Sequence, residues 1–82
     1  MNIQLTKTAF KDLKKIPPPR KHQIIKAIDQ LVGFPNVSHV KKLTNFTPSY
    51  RMRVGDYRVL FDAQESTILI GRVLHRKHSY QK

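Results

Sequence analysis

The chain contains no cysteine, so neither a disulfide framework nor a thiolate zinc site can be built from it. Acids are nearly as scarce, with 5 Asp and Glu in 82 residues, and Glu65 is the one glutamate. No apolar run approaches the roughly 20 residues of a membrane-spanning helix. The first ten residues, MNIQLTKTAF, lack the apolar segment of a secretory signal. A cytoplasmic protein without membrane contact is therefore expected. Against the 5 acids stand 16 lysines and arginines, a formal net charge of +11. So large a surplus on so small a body is the electrostatic footprint of a protein that meets a polyanion: RNA, DNA or an acidic protein.

A length of 82 residues allows one domain, residues 1–82, which buries only about 60% of the surface its unfolded chain exposes. Ile3 to Leu5 reads as a short edge strand. Thr6 can cap a helix from Lys7 to about Lys15, whose buried stripe is Ala9, Phe10, Leu13 and Ile16. The run Pro17-Pro18-Pro19 stops this helix and opens the next. That second helix runs from Arg20 to about Val32, with Ile24, Ile25, Ile28, Leu31 and Val32 forming one wide apolar face. Gly33 is placed as its C-cap, and Pro35 follows as a stop. Residues 35–48 read as a connecting loop, with a turn of helix or a short strand at Val40 to Leu43. Beyond Pro48 the period changes to two. The expected fold is α+β: an N-terminal strand, a helical hairpin, then a three-strand antiparallel meander, in the order β-α-α-β-β-β. The helices pack on one face of an antiparallel sheet.

The stretch RMRVGDYRVLF, residues 51–61, carries the chemistry. Gly55-Asp56 makes a two-residue hairpin turn, and a leading glycine suits type II′. This register pairs Val54 with Tyr57, Arg53 with Arg58 and Met52 with Val59. Tyr50, Met52, Val54, Tyr57, Val59 and Phe61 then share the apolar face. Arg53 and Arg58 stand opposite each other on the second face, with Arg51 two residues along and Asp62 the one acid within range. Like charges directly opposite on neighbouring strands cost up to about 1 kcal/mol. Guanidinium forks gathered this way suit a phosphate. Thr67 to Leu74 forms the last strand, in which Arg76 keeps phase with Ile68, Ile70, Arg72 and Leu74. Arg76, Lys77, two imidazoles (His75 and His78) and Tyr80 follow it. His75-x-x-His78 lacks the cysteine or carboxylate partners of a metal site, so no metal or other cofactor is expected.

The run Y-R-M-R-V-G-D-Y-R-V-L-F, followed by V-L-H-R-K-H-S-Y, resembles the RelE/ParE superfamily of bacterial toxin–antitoxin systems. The similarity extends over T-K-T-A-F-K-D-L-K-K-I and V-K-K-L, hence over nearly the whole chain. The resemblance implies a compact toxin silenced by a cognate acidic antitoxin in a hetero-oligomer. In the RelE branch it implies an endoribonuclease that cuts messenger RNA in the ribosomal A site, against ribosomal RNA. Arg51 and Arg53 match the basic pair of the second strand, Arg58 the arginine after the turn, and Arg76 the arginine after the last strand. Tyr80 matches the aromatic that closes the site, and His75 falls where histidine is frequent. The expected catalytic set is Arg58, Arg76, Tyr80, Arg53 and His75. Arg51, Arg53, Lys77 and His78 are expected to bind RNA.

Such a site would let the 2′-hydroxyl attack the adjacent phosphorus, leaving a 2′,3′-cyclic phosphate and a free 5′-hydroxyl without a metal. The chain departs from the family where Arg51 and Arg53 replace a lysine or carboxylate, because arginine is a poor general base. His75, His78 and Tyr80 are the candidates for proton transfer. Two other readings stand beside this one. The ParE branch poisons DNA gyrase without nuclease activity and tends to lack the combination of Arg58, Arg76 and Tyr80. A plain basic module would bind RNA with steep salt dependence and no cleavage.

Overall fold

The computed structural model describes residues 1–43 and 48–77. Its elements are β1 (Asn2–Leu5), α1 (Lys7–Lys14), α2 (Arg20–Asp29), a 3-10 turn (Gln30–Gly33), β2 (Val40–Lys42), β3 (Tyr50–Val54), β4 (Tyr57–Gln64) and β5 (Thr67–His75). The strands form one sheet in the order β1-β5-β4-β3-β2, which makes β4 the middle strand. The expected antiparallel meander is β3–β4–β5. Val40–Lys42 takes the short-strand alternative, pairing antiparallel with β3. One feature differs from the expected antiparallel sheet: β1 joins β5 in parallel, so the sheet is mixed.

Both helices lie on one sheet face and bury a single row of side chains. Ala9, Leu13 and Ile16 from the first, and Ile24, Ile28 and Leu31 from the second, meet Met52, Val59, Phe61, Ile68, Ile70 and Val73. Each row follows i, i+4, i+7, the narrow stripe that a helix presents to a flat sheet. The apolar residues one position further along fall outside it. Phe10, Ile25 and Val32, expected in the core, are 58%, 41% and 56% exposed. The Phe10 ring instead lies 5.7 Å from the Lys14 ammonium.

The ends of the helices follow from local chemistry. Thr6 caps α1, its Oγ1 accepting from Ala9 N at 3.0 Å, and the same hydroxyl donates to Gly71 O at 2.9 Å. The second helix ends earlier than expected because Gln30–Gly33 tightens into a 3-10 turn capped by Phe34. Gly33 therefore has no left-handed role, whereas Gly55 at the hairpin turn has φ +59. A positive φ at Gly55 alone is the signature of type II′. Phe34 closes the core edge-on against Tyr50 and Phe61, whose own rings stack at 5.4 Å.

One irregularity sets the phase of the last strand. Leu60 pairs with Arg72 but Phe61 pairs with Ile70, so Gly71 is an extra residue, a β-bulge. Before it Ile68 and Ile70 face the core; after it Val73 does. Arg72 and Leu74 consequently leave the phase of Ile68 and Ile70, contrary to the uninterrupted alternation read from the sequence. The bulge is clamped by Asp12 of α1. Its carboxylate accepts from Arg72 Nε at 2.8 Å, Arg72 Nη2 at 3.2 Å and the backbone N–H of Val73 at 3.0 Å. Hydrogen bonding to Asp12 raises the pKa of Arg72.

Removing this clamp leaves the Val73 amide and the Arg72 fork to find water. Asp12→Ala is expected to cost about 2 kcal/mol, since hydrogen bonds to a charged group contribute ~1.5–3 kcal/mol. For a domain of this size the melting temperature would fall by roughly 10 °C. A melting curve followed by circular dichroism checks it, and a shift under about 2 °C would show that the bulge holds without Asp12.

Candidate nucleic-acid interface

The hairpin places Arg53 directly opposite Arg58, and Arg51 opposite Leu60. On the outer side Lys41 of β2 stands opposite Arg51, and on the inner side Leu74 of β5 stands opposite Arg58. The sheet face away from the helices thus carries two rows. One reads Lys41, Arg51 and Leu60, with Arg72 next in register but its guanidinium held by Asp12 of α1; the other reads Arg53, Arg58, Leu74. Lys41 was not singled out from the sequence, because its position depends on pairing between β2 and β3 that no local pattern reveals. The short-strand alternative at Val40 to Leu43 is the trace of it in the sequence.

Arg58 is only 8% exposed, although nothing in the sequence marks it as different from its neighbours. It sits on the middle strand, with its stem between Arg53 and Leu74 on the flanking strands. One terminal nitrogen, Nη1, donates to its own neighbour's carbonyl, Tyr57 O, at 3.3 Å. Its Nε is buried and meets no acceptor among the described residues. Burial lowers the pKa of Arg58, and Arg53, Arg51 and Arg76 push it further down, in that order; Asp56 opposes them. A guanidinium stays protonated at neutral pH regardless. Folding therefore holds a buried cation within the field of three others.

The remaining acid on this side is already engaged. Asp62 accepts from Ser49 N at 2.7 Å through Oδ1. Arg76 lies just beyond β5, where its backbone N–H donates to Asp56 O at 2.7 Å and ties the chain to the hairpin turn. It keeps step with Arg72 and Leu74, and its charge acts on Arg58. Four arginines, 51, 53, 58 and 76, are thus one electrostatic unit. A phosphate suits it better than any group within the chain, because phosphate offers several acceptors to planar donor forks.

His75 is not brought to this face. It pairs with Tyr57, which alternates with Arg58, and the two rings meet edge-on at 5.2 Å. Its Nδ1 accepts from the backbone N–H of Lys77 at 3.3 Å. Lys77 itself is exposed past the end of β5. His78 and Tyr80 lie outside the described residues. Among the described residues no group of histidines and carboxylates could hold a metal ion. No helix among them is long and apolar enough to cross a membrane.

With this geometry in hand, comparisons with known proteins are informative. The family model described as the ParE toxin of the type II toxin–antitoxin system parDE matches residues 3–80. Toxin RelE3 of Methanocaldococcus jannaschii is 33% identical over 98% of this chain and 96% of its own length. The toxin–antitoxin complex RelB-RelE from Methanococcus jannaschii contains a chain superposing with a TM-score of 0.79, at 32% identity, covering 94% of each chain. The complex RelBE2 from Mycobacterium tuberculosis gives 0.76 at 26% identity, covering 92% of this chain and 96% of that one. This chain belongs to the ParE toxin family of type II toxin–antitoxin systems, within the RelE/ParE superfamily.

Proposed function

We propose that this toxin is a metal-independent endoribonuclease that inhibits translation by cutting messenger RNA in the ribosomal A site. The observation that carries the reading is the buried Arg58, held among Arg51, Arg53 and Arg76 with an Nε that meets no acceptor among the described residues. The likeness to Toxin RelE3 supports it. In the proposed reaction the ribose 2′-hydroxyl loses its proton and its oxygen attacks the adjacent phosphorus. The P–O bond to the next nucleotide breaks, and the departing 5′-oxygen takes up a proton. Arg58 and Arg76 bind the non-bridging oxygens as negative charge grows on them, usually the largest catalytic contribution. Arg53 orients the phosphate for in-line attack, and Arg51 with Lys77 holds the flanking backbone and ribosomal RNA. Tyr80 stacks on a base to keep the nucleotide splayed. With His75 on the opposite face, His78 and Tyr80 are the remaining candidates for proton transfer.

The partner is a cognate antitoxin, as in the RelB-RelE and RelBE2 complexes that this chain resembles. Its acidic residues would neutralise the +11 charge, and its apolar ones would cover exposed side chains such as Phe10 and Val32. The match to a family described as ParE favours a second reading, a gyrase-directed inhibitor in which the arginines only dock a protein. The two separate cleanly in cells. Primer extension on messenger RNA after brief expression should show in-frame cuts with the wild type. Removing one such donor costs on the order of 10²–10³ in rate, so Arg58→Ala with Arg76→Ala should abolish the cuts. Growth arrest without any cuts would move the assignment to gyrase or another protein target.

The same site has a stability signature. Arg58→Leu removes a buried cation from a like-charged cluster and places leucine beside Leu60 and Leu74. It should raise stability by about 1–2 kcal/mol, an effect comparable to other exchanges of buried charge for apolar side chains. The variant should melt several degrees higher while losing RNA affinity. Sulfate should raise the melting temperature of the wild type and hardly move that of the variant. A lower melting temperature for Arg58→Leu would show instead that the guanidinium anchors the fold.

A further inference from the structure

Beside the arginine rows lies a cleft of about 590 Å³ that the proposed reaction does not use. It is lined by Ala27 of α2, His39, and Arg53, Val54, Gly55 and Asp56 at the end of the hairpin. Its size falls within the ~300–1,000 Å³ of small-ligand sites, and its mixture of apolar wall and few polar groups is typical of them. Ala27 and Val54 supply the apolar wall, and the small side chain of Ala27 leaves room above it.

Three observations bear on what the cleft accepts. First, Arg53 belongs both to the cleft and to the row containing Arg58. Arg53 stands on the strand next to Arg58, while Ala27 and Val54 lie on the helix side of the sheet, so Arg53 joins the two sides at the end of the hairpin. Second, the backbone around the cleft is held in unusual conformations. His39 has φ +65, a left-handed conformation that costs a non-glycine residue roughly 1 kcal/mol or more. Its carbonyl accepts from Arg53 N at 3.0 Å, so the strained residue is tied to the shared arginine. Its imidazole is exposed. At the opposite rim, a side chain added at Gly55 would lie 2.5 Å from Nη1 of Arg20, so the turn is braced from α2. Third, the rim carries the carboxylate of Asp56. An acid there repels a phosphate but accepts hydrogen bonds from the amino group of a base.

Resting on the ribonuclease reading, we propose that this cleft receives the base and ribose of the nucleotide adjoining the scissile phosphate in single-stranded RNA. The base lies against Ala27 and Val54, the His39 imidazole stacks on it, and Asp56 accepts from its amino edge. Stacking of this kind contributes substantially to single-strand binding, and it holds the strand for cleavage at Arg58. Adenine, guanine and cytosine carry the amino group that Asp56 requires; uracil does not.

The test uses the intact chain and labelled 2′-fluoro oligoribonucleotides, which lack the attacking hydroxyl, read by fluorescence anisotropy. Wild type should bind a tetranucleotide at least tenfold more tightly than a dinucleotide. Ala27→Phe, which fills the cleft, should reduce that gain to below threefold. His39→Gly should do the same while melting no lower than the wild type, because glycine accepts the positive φ and a purely structural role for His39 predicts no loss of RNA affinity. Arg58→Ala should weaken binding of both lengths. Gains that persist in both Ala27→Phe and His39→Gly, with Arg58→Ala still defective, would overturn the cleft assignment and leave the ribonuclease reading intact. Failure of the wild type to bind either oligonucleotide, or indifference to Arg58→Ala, would remove the ribonuclease reading and the cleft with it.

Discussion

The bulge at Gly71 is the constraint on which both faces of the sheet depend. Without the extra residue β5 would keep one alternation from Thr67 to His75, and Ile70 and Val73 could not both enter the core. With it, Ile68, Ile70 and Val73 all pack beneath the helices while Leu74 turns to lie beside Arg58. Glycine at this point is a matter of space: an added side chain would come 2.9 Å from Cγ of Pro48. The helix that covers the core also clamps the bulge, because Thr6 bonds to Gly71 O and Asp12 to Arg72 and the Val73 amide. Core packing and the shape of the cationic face are therefore set by the same few atoms.

On that frame the hairpin imposes an unfavourable pairing. A two-residue turn with Gly55 at positive φ leaves one register, and this register puts Arg53 across from Arg58. Shifting the pairing by one residue would relieve the repulsion but turn Met52, Val59 and Phe61 out of the core. Burying such side chains contributes ~1.5–3 kcal/mol each, whereas like charges opposite one another cost up to ~1 kcal/mol. The core wins, and the arginines are held together by apolar packing on the far side of their own strands. The cationic cluster is thereby organised by the fold alone.

Much of this was legible in the residues. The period-two stretch from Tyr50 to Phe61, interrupted by Gly-Asp, fixes the hairpin and the Arg53–Arg58 opposition because turn length and alternation leave a single solution. Thr6 as a cap and the rows Ala9–Leu13–Ile16 and Ile24–Ile28–Leu31 are likewise local. What escaped depends on contacts distant in sequence. The parallel pairing of β1 with β5 joins residues more than sixty positions apart. The bulge hides in Thr67–His75, where β-branched residues and one glycine fit either phase. His75 was expected at the site from the resemblance, which says nothing of the face that the bulge gives it, and the exposure of Phe10, Ile25 and Val32 reflects how narrow a stripe each helix buries. The burial of Arg58 has no sequence signal at all, since it arises from being on the middle strand.

That last feature bears on how the face can act. An exposed arginine in a +11 protein is screened by salt within about 10 Å at 0.1 M, and any polyanion can exchange with its counterions. Arg58 lies under its neighbours, where screening is weaker and each opposite charge that reaches it counts for more. Arg51, Arg53 and Arg76 can draw a strand to the sheet from a distance, but they cannot by themselves distinguish one anion from another. Arg58 stands between Arg53 and Leu74 on the flanking strands, so a ligand that reaches it meets those two side chains as well. On the proposed reading the outer arginines gather the strand and the inner one meets the phosphate. On the proposed ribonuclease reading, a single nucleotide phosphate is the group that completes this site.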